Sequence, residues 1–522
     1  MTDVSKLDDL ANLISNASPN IKKYAQAQAA ATQKQEEEIR WLRQEVEVLK
    51  AKGGNGGSGG SGGGGTAPNL GTSLHTRLGV SSAGAVYYVS NSGDDSRSAV
   101  QAQNPATPWQ TINHAITQVG NTPGAIIELA NGTYQSVGGT YVILISGKTV
   151  TGGSTNPITI RAANPGGAVI SGSVMGGVFT IGAFIVNSTG YRLEGLRFSV
   201  QGLNSVGVQI ENSTWIELNK CIFNDTGEIA VKTRGAPGTP STDIGIWNCL
   251  FAPSGTKVWQ RVGAQWVNDP VNAEFVSGLD TGNSGGTLPN GSGYYGTKGS
   301  HCMYVGQVSG AETGQGGGLR TTIANCIFAG STPGRHMELG PQAVDTHVVN
   351  CTFYGNQPTF YYNTDLLPNF HSGLAGSAIE FFGNVAAYAT RGTRVVNCIF
   401  HSMQGHAGYG SAGFNLTGNQ MFNNLAFNLQ NGWDGTTSYQ ENRLLDYHTT
   451  WGSSTLFSTP APGNRPNANP LLTSPQKNES GNFRPQAGSP AKAVAMPEWT
   501  PKTDYFGVSR PALPTLGAIE AA

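Results

Sequence analysis

Five of the six cysteines fall in one repeated tripeptide, Cys-x-Phe: Cys221-Ile-Phe223, Cys249-Leu-Phe251, Cys326-Ile-Phe328, Cys351-Thr-Phe353 and Cys398-Ile-Phe400. Leu196-Arg-Phe198 and Leu425-Ala-Phe427 extend the series with leucine in the cysteine slot. Successive members lie 25, 28, 77, 25, 47 and 27 residues apart. A recurring short step is the mark of a repeat architecture, in which each unit buries its apolar face only against its neighbours. One short strand with alternating inward side chains per step builds a coil that stacks like upon like. The predicted fold class is therefore all-β, a right-handed single-stranded parallel β-helix with equivalent positions about 4.8 Å apart. The cysteines then form an interior ladder of free thiols interleaved with phenylalanines, because cysteine is small and readily buried. Disulfides are not expected, and neither is a metal site, since no close Cys-x-x-Cys spacing occurs.

The remaining sequence arranges itself around that coil. Residues 1–52 place Ile39, Leu42, Val46 and Leu49 at the a and d spacing of a coiled coil, flanked by Glu36, Arg43, Glu45 and Lys50. They predict an N-terminal helical anchor with a short coiled coil, the alternative being a lone amphipathic helix packed on another protein. Residues 53–66 read GGNGGSGGSGGGGT, a flexible tether. Residues 67–130 read as an entry cap. It has a strand at Val86-Tyr-Tyr-Val89 and a helix over 108–119 with Trp109, Ile112, Ile116 and Val119 on one face. Such a cap covers the coil's first open edge, which would otherwise recruit foreign strands. Residues 131–430 form the coil and read as two main strands per turn. Residues 431–522, rich in proline and poor in periodicity, either fold back along the coil or close its far edge.

The strand ahead of each Cys-x-Phe reads Val208-Gln-Ile-Glu211, Ile229-Ala-Val-Lys232, Met303-Tyr-Val305, Met337-Glu-Leu339, Ile379-Glu-Phe381 and Phe414-Asn-Leu416. Alternation turns Lys232, Tyr304, Glu338, Glu380 and Asn415 outward as one column. The long steps each hold one turn plus a loop excursion, over 252–300 and 354–377, and both excursions leave from the corner after the Cys-x-Phe strand. The first carries Trp259, Trp266, Phe275, Tyr294 and Tyr295, and the second Tyr354, Phe360, Tyr361, Tyr362, Phe370 and His371. Aromatic faces on exposed loops suit the apolar faces of sugar rings, and they equally serve to pack loops onto a coil.

Glu338 and Glu380, on neighbouring turns, are expected about 5 Å apart, the separation that a retaining glycosidase needs between its acid and its nucleophile. His336 and Arg335 lie near enough to assist or to bind an anionic sugar. The catalytic candidates are thus Glu338, Glu380 and His336. The substrate-binding candidates are Tyr304, Lys232, Arg335, Trp259, Trp266, Tyr294, Tyr295, Tyr361, Tyr362 and His371. Any two outward glutamates on consecutive turns give the same spacing, so a purely structural pair stays open. A lyase alternative uses Lys232 as base with Arg234 or Arg335 stabilising the enolate-like charge. The net charge of -1 and the 12% of charged residues favour a hydrolase over chemistry on a strongly anionic substrate. That net charge also excludes a basic field for nucleic acid or anionic lipid, and no apolar run approaches the roughly 20 residues that span a bilayer.

Three stretches resemble bacterial right-handed β-helix proteins of the pectate-lyase-like group. They are Tyr87-Tyr-Val-Ser-Asn-Ser-Gly-Asp-Asp95 with Pro108-Trp-Gln-Thr-Ile112 and Ala130-Asn-Gly-Thr-Tyr134; Asn156-Pro-Ile-Thr-Ile160 running to Ile170-Ser-Gly172; and Ser489-Pro-Ala491 with Asp504, Gly507, Arg510-Pro511 and Leu516-Gly-Ala-Ile-Glu520. The lyases of that group imply calcium held by clustered aspartates and a lysine base. No aspartate cluster stands in the repeat region, so no cofactor is expected. A short helical anchor without a signal peptide, ahead of a β-helix, resembles the layout of bacteriophage tailspikes and tail fibres. That resemblance implies a homotrimer on the virion, docked through its N-terminal helices to a phage protein. It also implies binding, with or without cleavage, of host surface polysaccharide. A structural appendage of the virion and a bacterial polysaccharide-lyase-like surface protein are the alternatives.

Overall fold

The computed structural model describes residues 70, 71, 74, 84–136, 140–173, 180–201, 205–224, 226, 229–235, 239–252, 301–306, 317–331, 336–340, 342–356, 378–381, 390–403, 407–410, 419–429, 463–465, 468–476 and 478–522; of 259–262, 265–268, 286–287, 293–295 and 445–447, and of positions 173, 201, 301, 331, 356, 409 and 410, it describes the backbone alone. The helical anchor, the coiled coil and the tether, expected within 1–66, lie outside these residues.

The described chain is a parallel β-helix with three sheets, one strand from each per turn. Sheet A runs from Val86–Val89 through Thr214–Asn219 and Ser241–Trp247 to Gln420–Phe422. Sheet B runs from Gly132–Gln135 through Ile222–Phe223 and Ile327–Ser331 to Leu425–Phe427. Sheet C runs from Tyr141–Ser146 through Ile229–Arg234, His301–Val305 and Met337–Leu339 to Leu445–Tyr447. The expected two strands per turn are those of sheets C and B. Sheet A, whose strands lack a repeated residue as conspicuous as cysteine, is the addition.

The thiols and rings stack as the repeat requires. In sheet B, Phe198, Phe223, Phe251, Phe328, Phe353 and Phe400 lie face to face with centroids 5.0, 4.8, 4.7, 4.6 and 4.9 Å apart. Cys221, Cys249, Cys326, Cys351 and Cys398 are free and fully buried, as is Cys302 in sheet C. Their S–H groups donate to main-chain carbonyls, for example from Cys249 Sγ to the Trp247 carbonyl at 3.2 Å. Burial pushes the thiols of Cys221, Cys249, Cys326 and Cys351 well above the usual range.

Two register expectations are corrected. Leu425 pairs with Ile399 and Ala426 with Phe400, so the last rung sits one residue earlier than the Leu-x-Phe reading placed it. Asn424 fills the thiol slot, where its Oδ1 accepts from the Cys398 N–H at 2.9 Å and its Nδ2 donates to the Val395 carbonyl at 2.9 Å. In sheet C the strand after Ile379–Phe381 is Gly408–Gly410, so Tyr409 rather than Asn415 follows Glu380. Residues 414–416 lie outside the described ones.

A run of left-handed residues makes the bend between sheets A and B. Asn248, Asn325, Asn350, Asn397 and Asn423 have φ of 54, 53, 49, 58 and 51°, and Lys220 holds the same position with φ 54°. Asparagine tolerates this region because its short amide bonds locally. Asn248 donates to Asn219 at 2.9 Å, Asn325 to Asn248 at 3.1 Å and Asn423 to Asn397 at 2.8 Å. The same amides hold the C-terminal segment. Asn325 Nδ2 reaches the Thr503 carbonyl at 2.7 Å, Asn350 the Thr515 carbonyl at 3.1 Å, and Asn423 the Val494 carbonyl at 2.9 Å.

The C-terminal segment thus folds back along the coil. Leu472, Phe483, Ala491, Leu516 and Ile519 cover the outer residues Leu250, Ile327, Ile399 and Leu425 of sheet B. Trp499, with Leu70 and Leu74, covers the outward column Trp247, Ala324, Val349, Val396 and Phe422 of sheet A. Buried Arg510 fastens the fold-back, donating to Asn325 Oδ1 at 3.0 Å and the Gly517 carbonyl at 2.9 Å while pairing with Glu520. At the other end, helix Ile112–Val119 buries Ile112, Ala115, Ile116 and Val119 against the coil. The helix begins after Trp109, which is itself fully buried.

Candidate functional site

The outward column expected on sheet C exists. Gln209, Lys232, Tyr304, Glu338, Glu380 and Tyr409 pair in register on successive turns. Parallel pairing in register sets them about 4.8 Å apart along the backbone. Val231, Met303, Met337 and Ile379 are fully buried inside the coil, and the residue that follows each of them points out. Among the described residues, the apolar clusters that the C-terminal segment makes with the coil involve sheets A and B.

Within the column the chemistry changes turn by turn. The Lys232 ammonium lies 5.9 Å from the Tyr304 ring centroid, a cation–π distance. The Tyr304 ring lies over Gly340, where a Cβ would stand 2.5 Å from the phenol oxygen, so glycine there is what admits the ring. Burial, and then the charge of Glu338, hold the Tyr304 phenol protonated far above its ordinary range, against a smaller opposing effect of Arg234. Arg234, two residues beyond Lys232, forms an ion pair with Glu211 at 2.7 Å, and Gln209 Nε2 also donates to Glu211 at 3.1 Å. Glu338 is 9% exposed and Glu380 0%.

His336 is placed otherwise than expected. It is not beside Glu338 on the outside but inside the coil, 0% exposed, with the Phe328 and Phe353 rings at 5.9 and 5.8 Å. Neither ring nitrogen has a hydrogen-bond partner, and burial lowers its pKa from 6.5 to about 3. The physical reason is a local break in alternation. Ala230, Cys302 and Ala378, at the positions equivalent to His336 on neighbouring turns, belong to the interior core, as do Val231, Met303, Met337 and Ile379 one residue later.

The excursions leave sheet B and re-enter sheet C, after Leu250–Phe251 and after Thr352–Asn356, the same corner both times. Tyr354 stays in its strand, paired with His401, so the second excursion begins later than residue 354. In the first, strands Trp259–Val262, Gln265–Asn268, Gly286–Thr287 and Gly293–Tyr295 make an antiparallel sheet that places Trp259 opposite Tyr295 and Arg261 opposite Trp266. The side chains of Trp259, Trp266, Tyr294 and Tyr295 are outside the description, as are Arg335, Tyr361, Tyr362 and His371 entirely. Among the described residues no three His, Cys, Asp or Glu side chains gather as a metal site. The calcium implied by the lyase resemblance finds no fitting donor set among them.

Sequence reasoning passed over Leu144 and Phe184, which pair in register on sheet C's outer face toward the entry cap, and Tyr141, whose ring stacks on Phe184. It also passed over the asparagines at the bend, although Asn248, Asn325, Asn350 and Asn397 each stand directly before a ladder cysteine.

No family model matches the chain. No curated protein is similar to it. Among solved structures, the chain is similar to the pectate lyase Pel9A with a TM-score of 0.51 and 14% identity, over 87% of this chain and 100% of that one. A rhamnogalacturonan lyase matches with a TM-score of 0.42 and 15% identity, over 73% of this chain and 87% of that one. An alginate lyase from a Paenibacillus species matches with a TM-score of 0.40 and 18% identity, over 69% and 93%. The first of these establishes the fold, a right-handed parallel β-helix of the pectate-lyase kind. It also corrects two expectations. The likeness runs to a lyase rather than to a tailspike or tail fibre, so the bacteriophage tailspike reading is not supported by it. The preference for a glycoside hydrolase over a lyase falls on the same likeness.

Proposed function

We propose that this chain acts on a carboxylated polysaccharide by β-elimination along the outer face of sheet C. The observation that carries the reading is the succession Lys232, Tyr304 and Glu338 on adjacent turns of sheet C. The fold shared with a pectate lyase agrees with it. Elimination needs a base for the C–H next to the sugar carboxylate, a positive charge to steady the enolate-like intermediate, and a proton for the departing glycosidic oxygen. Lys232 acts as the base that takes the carbon-bound proton. That electron pair becomes the new C=C bond as the C–O bond breaks. Tyr304, kept in its acid form by burial and by Glu338, delivers the proton to the leaving oxygen. Arg234, oriented by Glu211, faces the sugar carboxylate. Pectate, alginate and rhamnogalacturonan are the polymers to try first.

The test is to incubate the protein with polygalacturonate, alginate and rhamnogalacturonan and follow the ultraviolet absorbance of the unsaturated product. The reading expects absorbance to rise with at least one of them, and Lys232→Ala to lower the rate by about 10² to 10⁴. Release of reducing sugar without ultraviolet absorbance, or no product from any of the three, overturns it.

A further inference from the structure

We propose that sheet C carries a second, apolar subsite, formed by Tyr141, Leu144 and Phe184, which holds a pyranose ring of the same polysaccharide by its C–H face. The inference rests on the reading above and extends it toward the entry cap.

Tyr141 and Phe184 are stacked, with centroids 5.0 Å apart and planes at 26°. Leu144 pairs in register with Phe184, and Phe184 with Gln209, which pairs with Lys232. The platform and the polar column are therefore one line, and Phe184 stands two rungs, about 10 Å, from Lys232. Leu144 is 37% exposed, and both rings are half-buried. The aromatic pair thus keeps part of its surface at the outside, where burial in the coil does not account for it.

The platform is also held in place. Asn113 of helix Ile112–Val119 closes the open edge of the sheet, its Nδ2 donating to the Val142 carbonyl at 3.2 Å and its Oδ1 accepting from the Leu144 N–H at 2.9 Å. Between platform and column, Gln209 is buried and fixed on Glu211. A sugar suits this patch better than a protein does. Three side chains fall far short of the roughly 800 Å² per partner of a stable protein interface. The electron-rich ring faces attract the weakly positive C–H hydrogens on one side of a pyranose. A polysaccharide running along the coil axis crosses Lys232 and then this platform, so long chains engage both and short ones only one.

Binding is measured by calorimetry in a Lys232→Ala background, so that the ligand is not consumed, with a dimer and an octamer each of galacturonate and of alginate as probes. The octamer is expected to bind more tightly than the dimer, and Phe184→Ala to cut that advantage about tenfold, the equivalent of losing contact with two buried C–H groups. Phe184→Leu, which keeps the apolar volume and removes the ring, should cut it in the same direction, and Tyr141→Ala likewise. An undiminished octamer advantage in a Phe184→Leu protein that melts at the parental temperature overturns the subsite while leaving the function standing. Failure of every probe to bind overturns the subsite, while absence of unsaturated product from all three polymers overturns the function as well.

Discussion

Replacing His336 by methionine should remove an acid-sensitive point from the core. The imidazole is fully enclosed between Phe328 and Phe353 with both nitrogens lacking hydrogen-bond partners. Burial drops its pKa from 6.5 to about 3, whereas in the unfolded chain it titrates near the ordinary value. The unfolded state therefore binds the extra proton first. The group costs nothing in pH-dependence above the unfolded pKa, and stability is lost as pH falls from there toward the folded pKa. Each unit is worth 1.36 kcal/mol, so acidification by two units below the unfolded pKa removes about 2.7 kcal/mol through this residue alone. His336→Met keeps an apolar, adaptable side chain in the space and carries no proton. Urea unfolding midpoints of both proteins at neutral pH and at about pH 4.5 give the comparison, since carboxylates common to both cancel in the difference. The parent should lose about 2.7 kcal/mol more than the variant on acidification. At neutral pH the variant should be at least as stable, because two unsatisfied buried nitrogens are gone. Equal losses in the two proteins would refute the reasoning and mean that the ring finds a proton acceptor or water on the inside.

Two further outcomes follow from the ladder. Phe353→Ala opens a gap between the Phe328 and Phe400 rings, which lie at 4.6 and 4.9 Å from it; a loss of about 3–5 kcal/mol is expected, seen as a lowered unfolding temperature, and an unchanged temperature would contradict its interior place. The 6 cysteines are buried, and burial raises the thiol pKa of Cys221, Cys249, Cys302, Cys326 and Cys351. An aromatic disulfide reagent should therefore label none in the native protein and all after denaturation, and rapid native labelling would show the coil to be open.

The sequence by itself determined the coil. A thiol and a phenyl ring recurring at one short step can be buried together only if successive turns stack, and that stacking fixed the interior ladder, the absence of disulfides among the described cysteines, and the outward order of Lys232, Tyr304, Glu338 and Glu380. Where the repeat lost its two marker residues, so did the reading. Asn424 occupies a cysteine's place, and Leu425-Ala-Phe427 mimicked the pattern one residue late. Sheet A left no tripeptide to count. The asparagine before four of the ladder cysteines was visible, yet a left-handed bend and an amide ladder acquire meaning only when those residues lie above one another. Tertiary structure alone decided which side of the wall a residue faces at a corner, where alternation breaks and two consecutive positions turn inward. That is why His336 joined the phenylalanines instead of the glutamates. It also decided the path of the C-terminal segment, which runs through contacts with Asn325, Asn350 and Asn423, spread over 99 positions of sequence and brought together only by the stacking of turns.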